Sequence, residues 1–222
     1  MKNIQSGGFK TACGCASQDG KGNSGIGSVN FDFEVNKYFS IGAKIGFDSK
    51  STSSSGSVRD SAMVRYSPGD SAVLAVYDIN STTEIRASYL FFSPYLSYTP
   101  FGTGFFVQLS PEFGSILSSN ITQTRELPNK VIVAGKDTIT NIRFQNGTRS
   151  ETLENEQIKE ANKLRIAIFF SAGYDFNIAN NFSILPQVSY NLPLTNISNS
   201  AQSTNWKIAS YAFSLGLKCR LD

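Results

Sequence analysis

From Ser28 to Val35 the chain alternates without a break: Val29, Phe31, Phe33 and Val35 hold the odd positions, and Ser28, Asn30, Asp32 and Glu34 the even ones. Successive side chains of a strand point to opposite faces, so this spacing predicts a strand with one oily and one polar face. After Asn36-Lys37 the segment Phe39 to Asp48 repeats the pattern, with Phe39, Ile41, Ala43, Ile45 and Phe47 set against Ser40, Gly42, Lys44, Gly46 and Asp48. The two segments read as a hairpin. Leu164 to Ile178 alternates again, and Ala179-Asn180-Asn181 leads into Phe182 to Thr195 as a second hairpin. Glu84 to Tyr98 and Gly104 to Phe113 flank a turn at residues 99–103, and the last segment is Tyr211 to Leu221. In Glu84 to Tyr98 the alternation blurs around Leu90-Phe91-Phe92, where a β-bulge would account for it.

Seven strands joined by three tight turns, near Asn36, Phe101 and Asn180, alternate with long connections. An eighth strand is needed to place the tight turns on one side of an even-numbered barrel, and Asn3 to Thr11 supplies it. The expected fold is all-β and forms a single domain over residues 1–222: an eight-stranded antiparallel up-and-down barrel with short turns at one end and long loops at the other. That is the layout of transmembrane barrels with periplasmic turns and extracellular loops. Within the long connections, Lys130 to Val133 and Thr138 to Ile142 are expected to form a hairpin above the barrel. Ala72 to Tyr77 reads as a strand extension, Glu151 to Lys163 as a short helical turn, and the Ser-rich Ser49 to Ser57 as mobile.

Composition decides which face points inward. Charged residues make up 17% of the chain, against roughly 25% in ordinary soluble domains, and aromatics reach 12%. The polar face is rich in Gly and Ser, which suit a narrow interior. Its few charges balance, with Asp32, Glu34, Glu84, Glu112 and Asp175 against Lys44, Arg86, Arg165, Lys218 and Arg220. These residues are the expected lumen network. Tyr38, Phe39, Tyr98, Phe101, Phe105, Phe176 and Phe182 cluster near the tight turns as an interfacial girdle would, with Trp206, Tyr190 and Tyr211 as the opposite belt. The expected arrangement is therefore inverted: oil outward, polar groups inward.

Several chemistries are excluded. The chain has no histidine, which removes imidazole-based triads, histidine-ligated metals and imidazole proton shuttles. A net charge of +3 is too small for a nucleic-acid surface. No stretch approaches the roughly 20 apolar residues of a membrane helix, and the N-terminus lacks the apolar core of a secretory leader. The chain reads as cytoplasmic, or as a mature form or fragment whose leader is missing. Cys13, Cys15 and Cys219 cannot all pair internally, and a Cys-x-Cys half-site lacks the usual partner ligands. Paired carboxylates such as Glu112 and Asp175 are more often structural than catalytic, so no enzyme, cofactor or metal is expected.

The end of the chain, Ser214-Leu215-Gly216-Leu217-Lys218-Cys219-Arg220-Leu221, is similar to the C-terminal assembly signal of outer-membrane barrels, with its roles on Ser214, Gly216, Cys219 and Leu221. Cys219 and Leu221 depart from the aromatic preference of that signal, and Asp222 adds a residue beyond it. Together with the alternation, this makes the chain resemble the outer-membrane β-barrel family typical of Bacteroidetes and Chlorobi-type bacteria, with the architecture of the eight-stranded barrel of outer-membrane protein A. The resemblance implies a non-enzymatic outer-membrane protein of structural or surface-interaction role, with a lumen filled by side chains. Its expected partners are outer-membrane lipid, the barrel-assembly machinery acting on the C-terminal strand, and an unknown surface partner at the loops. The alternatives are a small porin-like channel, or a barrel that binds a hydrophobic ligand or a secretion or adhesion partner.

Overall fold

The computed structural model describes the chain except residues 11–15, 18, 66–70, 72, 101–102, 128–129, 132–138, 141–142, 145, 180–181, 200–202 and 220–222. Eight strands form the main sheet: β1 (Lys2–Lys10), β2 (Gly20–Glu34), β3 (Phe39–Arg65), β4 (Val73–Tyr98), β5 (Phe105–Glu126), β6 (Leu164–Tyr174), β7 (Phe182–Pro193) and β8 (Ser203–Cys219). Each is antiparallel to the barrel strands before and after it in the chain, and β8 returns to β1, closing a ring. The weak N-terminal segment is thus the eighth strand.

The strands outrun the sequence pattern. β3 and β4 contain 27 and 26 residues and are paired from Phe39↔Tyr98 to Val64↔Val73. Ser49 to Ser57, expected to be mobile, is instead laddered against Asn80 to Ser88. Serine is a poor strand former in isolation, but a neighbouring strand that satisfies its backbone overrides that preference. Glu151 to Lys163 is not a helical turn either: Ser150–Gln157 is a strand on β5, opposite Asn120 to Glu126. β6 covers β5 only as far as Ser115, so the free edge above it takes up the returning chain. The expected hairpin above the barrel is present in part, as Lys130–Val131 paired with Ile139–Thr140. The long segment Leu164 to Ile178 breaks at Asp175, and Phe176–Ala179 pairs separately with β7.

The two faces lie as the pattern requires. Phe31 is 64% exposed and Phe213 73%, whereas Lys44 is 5% and Arg165 6% exposed. The bulge sits one step from its expected place, between Ser88 and Tyr89, with Leu117 as the extra residue on β5. Leu90-Phe91-Phe92 itself alternates normally: Leu90 and Phe92 face out, and Phe91 is buried. The blur arose because an aromatic points inward, not because the backbone slips.

Three such inward aromatics explain the glycines of the polar face. Tyr95, Phe91 and Phe106 stand directly opposite Gly42, Gly46 and Gly173 on the neighbouring strands. A methyl group at Gly42 would come within 2.4 Å of Tyr95 Cζ and 2.2 Å of the Phe31 carbonyl oxygen. Each glycine leaves the hollow that a ring fills. Gly42→Ala is expected to lower stability by about 1–3 kcal/mol through overpacking. Gly56→Ala, where a methyl group meets open space, should change it by less than about 0.5 kcal/mol. Urea unfolding in detergent micelles measures both, and equal effects would refute the ring-on-glycine account.

Candidate functional site

The lumen is the place where chemistry-bearing side chains converge, and they do so in layers. The central layer joins β3, β5, β6, β7 and β8. Arg165 on β6 contacts Asp48 at 3.0 Å and Glu112 at 2.9 Å, and also donates to Asn191. Asn191 donates in turn to Glu112 at 3.0 Å, while Lys50 contacts Asp48 at 3.1 Å and donates to Ser210 at 2.7 Å. The guanidinium lies 5.1 Å from the Tyr89 ring centroid. Two carboxylates and two cations cancel in charge within a space where all four are at most 6% exposed. Period two produces this convergence, because it sends every second residue of each strand to the same interior.

Toward the tight turns, Lys44 donates to Gln108 at 2.8 Å, and the Gln108 oxygen also accepts from Ser171 at 3.1 Å. The ammonium stands between the rings of Tyr95 and Phe169, at 5.1 and 5.2 Å. Nearer the mouth, Lys218 contacts Asp32 at 3.1 Å and Asp175 at 3.7 Å, and the Tyr95 hydroxyl donates to Asp32 at 3.2 Å. On the opposite side of the central layer lies an apolar cluster of Ile85, Ile121, Ile158, Ile197, Trp206 and Ile208. A recess lined by Lys50, Tyr89, Arg165, Pro193 and Ile208 is about the size of one water molecule.

Of the residues expected in the lumen network, Lys44, Glu112 and Arg165 are deeply buried, and Asp32, Asp175 and Lys218 form the half-buried group at the mouth. Glu84 and Arg86 are not lumenal: they lie on the outer face of β4 and pair with each other at 3.3 Å. Both sit beyond Ser88, where the outer face is the polar one. Glu34 is exposed at the turn end and joins neither cluster. Sequence reasoning set Asp48 on the polar face without counting it in the network, and missed Lys50 because it ended the strand at Asp48. The even-numbered period of that strand, carried two residues further, would have placed Lys50 inside as well. Trp206, expected in an outer belt, is fully buried in the apolar cluster, whereas Tyr190 and Tyr211 stand opposite each other on the outer face.

Along the C-terminal strand, Ser214 and Gly216 face the interior side and Cys219 is exposed on the outer face. Arg220 and Leu221 lie outside the described residues. On the strand Ser150–Gln157, burial raises the Glu154 carboxyl above its ordinary range, and a hydrogen bond from Lys159 holds Glu156 below it. The Lys159–Glu156 pair is solvated and contributes little to stability.

The chain matches no protein-family model and no curated protein.

Removing one partner from a buried ion cluster leaves the others uncompensated, at a cost of about 3–5 kcal/mol. Arg165→Ala, which strands Asp48 and Glu112, is expected to lose that much in urea unfolding. Arg86→Ala should lose less than about 0.5 kcal/mol. A double-mutant cycle of Arg165→Ala with Glu112→Ala should show coupling above about 0.5 kcal/mol; additivity would dissolve the cluster as a unit.

Proposed function

We propose that the chain is an integral outer-membrane protein. In this reading it is an up-and-down eight-stranded barrel with the tight turns on the periplasmic side and the long hairpins outside the cell. A change of polarity along one strand carries the reading. On β4 from Asp78 to Ser88 the outer positions are Asp78, Asn80, Thr82, Glu84, Arg86 and Ser88, and the inner ones include Ile79, Ile85 and Ala87. Such a segment is built for water. From Leu90 to Tyr98 the outer positions become Leu90, Phe92, Leu96 and Tyr98, and the inner ones include Ser93 and Ser97.

The neighbouring strand changes at the same level, with Phe47 opposite Leu90 and Ser49 opposite Ser88. Water has no use for that reversal, since a soluble monomer rarely exposes a wide apolar patch. Lipid requires it. From Phe39 to Phe47 the belt measures ~27 Å along the strand, or roughly 20 Å in height at a barrel tilt near 40°. Exposed Tyr38, Phe39, Tyr98, Phe105, Tyr174, Phe176 and Phe182 line its turn-side rim, where aromatic rings suit the headgroup level.

The layered lumen favours a closed scaffold over a diffusion pore, because eight strands leave an interior that side chains fill. The working surface is then the sheet of β3, β4 and β5 beyond the belt, edged by Ser150–Gln157. Its outer face presents Ser, Thr and Asn to a partner outside the cell. β8 carries the signal read by the barrel-assembly machinery, and no catalytic role is assigned.

Electrophoresis with and without boiling should give a membrane-fraction band whose mobility depends on heat, and a detergent-free soluble monomer would overturn the reading. Phe213→Arg, on the lipid side, should cost about 2–4 kcal/mol of stability in bilayers, and Ser57→Arg almost nothing. In planar bilayers the purified protein should show no porin-sized conductance; ohmic steps of that size would overturn the closed lumen.

A further inference from the structure

Three neighbouring strands bring three lysines onto one patch of the outer wall at the loop end. Lys21 of β2 stands opposite Ile4 of β1, Ile4 opposite Ala209 of β8, and Lys207 opposite Ser6. Residues opposite each other share a face, and Ile4 is exposed, so Lys21 and Lys207 point outward with it. Lys2 lies two residues along β1 from Ile4, on the same face. Lys2 and Lys21 are exposed and Lys207 is half-buried. By strand geometry Lys2 and Lys21 are diagonal neighbours at ~7–8 Å, and Lys207 lies ~12 Å from Lys21 across β1. Their flexible four-carbon stems let the three ammoniums converge on one anion.

The patch holds no counter-ion of its own. On the outer wall of β4, Arg86 is paired with Glu84. None of the three lysines makes an ion pair among the described residues. Asp19, two residues before Lys21, is exposed and joined to none of them. Like charges so placed repel one another, and an anion seated among them relieves the repulsion.

Toward the tight turns the same wall turns to oil. After Lys207 the outer positions of β8 are Ala209, Tyr211, Phe213, Leu215 and Leu217, the last four all exposed. A ligand that matches this outline carries negative charge at one end and hydrocarbon at the other. A soluble anion would meet only the lysines, and an apolar ligand only the rings and leucines. Phosphate oxygens can accept from several ammoniums at once, since each ammonium is a point charge with three donors. Resting on the membrane reading above, we propose that Lys2, Lys21 and Lys207 form a docking site for a phosphorylated lipid of the surrounding leaflet. The ammoniums hold its phosphate, and its acyl chains lie against Ile4, Tyr211 and Phe213.

The test titrates the protein in neutral detergent micelles with phosphatidic acid and counts bound lipid by native mass spectrometry. A lysine beside an anionic headgroup contributes about fivefold in affinity, so Lys2→Gln, Lys21→Gln and Lys207→Gln together should weaken binding about a hundredfold. The control removes three exposed cations that already have partners, by Arg86→Gln, Arg143→Gln and Lys159→Gln. It takes away the same charge and should weaken binding less than about twofold. Phosphatidylcholine with the same chains, whose phosphate is balanced by its own ammonium, should bind about tenfold more weakly than phosphatidic acid. Glycerol phosphate, the same headgroup without chains, should fail to displace the lipid at equal concentration. Unchanged affinity in the triple lysine variant, an equal loss in the control, or displacement by glycerol phosphate would each overturn the proposal. Heat-dependent mobility is read on every variant. A chain that keeps it while binding both lipids alike overturns the lipid site alone, whereas a detergent-free soluble monomer overturns the membrane reading and the site with it.

Discussion

A strand has two faces, and in this ring the solvent met by each face governs every other choice of residue. Where water lies outside, beyond Ser88 on β4, the interior can be oily, and Ile85, Ile121, Trp206 and Ile208 pack there as in a soluble core. Where the outside turns apolar, the inside has to hold whatever polarity the chain retains. At that level the polar groups satisfy one another across the lumen. The charge-balanced layer of Asp48, Lys50, Glu112 and Arg165 is the result.

Two kinds of filler share the lumen, and they act differently. The ion cluster is conditional: its desolvation cost is offset only while all members are present. The rings of Tyr95, Phe91 and Phe106 over Gly42, Gly46 and Gly173 contribute unconditional packing and let neighbouring strands coil tightly. Lys44 belongs to both, as a cation held between two rings and hydrogen-bonded to Gln108. The balance also accounts for the scarcity of charge in the sequence. A ring this narrow has room for few ions, and each one needs a partner on another strand.

Much of this was legible in the alternation. The ring of eight strands follows from period two together with the spacing of tight turns, and the inversion of its faces, with the burial of Lys44, Glu112 and Arg165, from composition read on that period. What escaped lies where the pattern loses contrast. Past Asp48 both faces of β3 carry serine, so periodicity falls silent although the backbone ladder continues, and Lys50 went uncounted. On β4 the polarity reverses without a change in period, so Glu84 and Arg86 were placed on the wrong side of the wall. Trp206 failed for a related reason: an aromatic near a strand end looks the same whether it faces lipid or the apolar cluster above the ion layer.

The paired extension of β3 and β4 has a mechanical meaning. Seventeen residues of β3 lie beyond Asp48, an arm of roughly 55 Å at strand rise, braced by β5 for much of its length. A twisted ribbon held by cross-strand hydrogen bonds resists bending far better than a flexible tether. Whatever engages its far end would do so at a set distance from the apolar belt, and a pull there would be transmitted to the two wall strands that hold Lys44 and Tyr95.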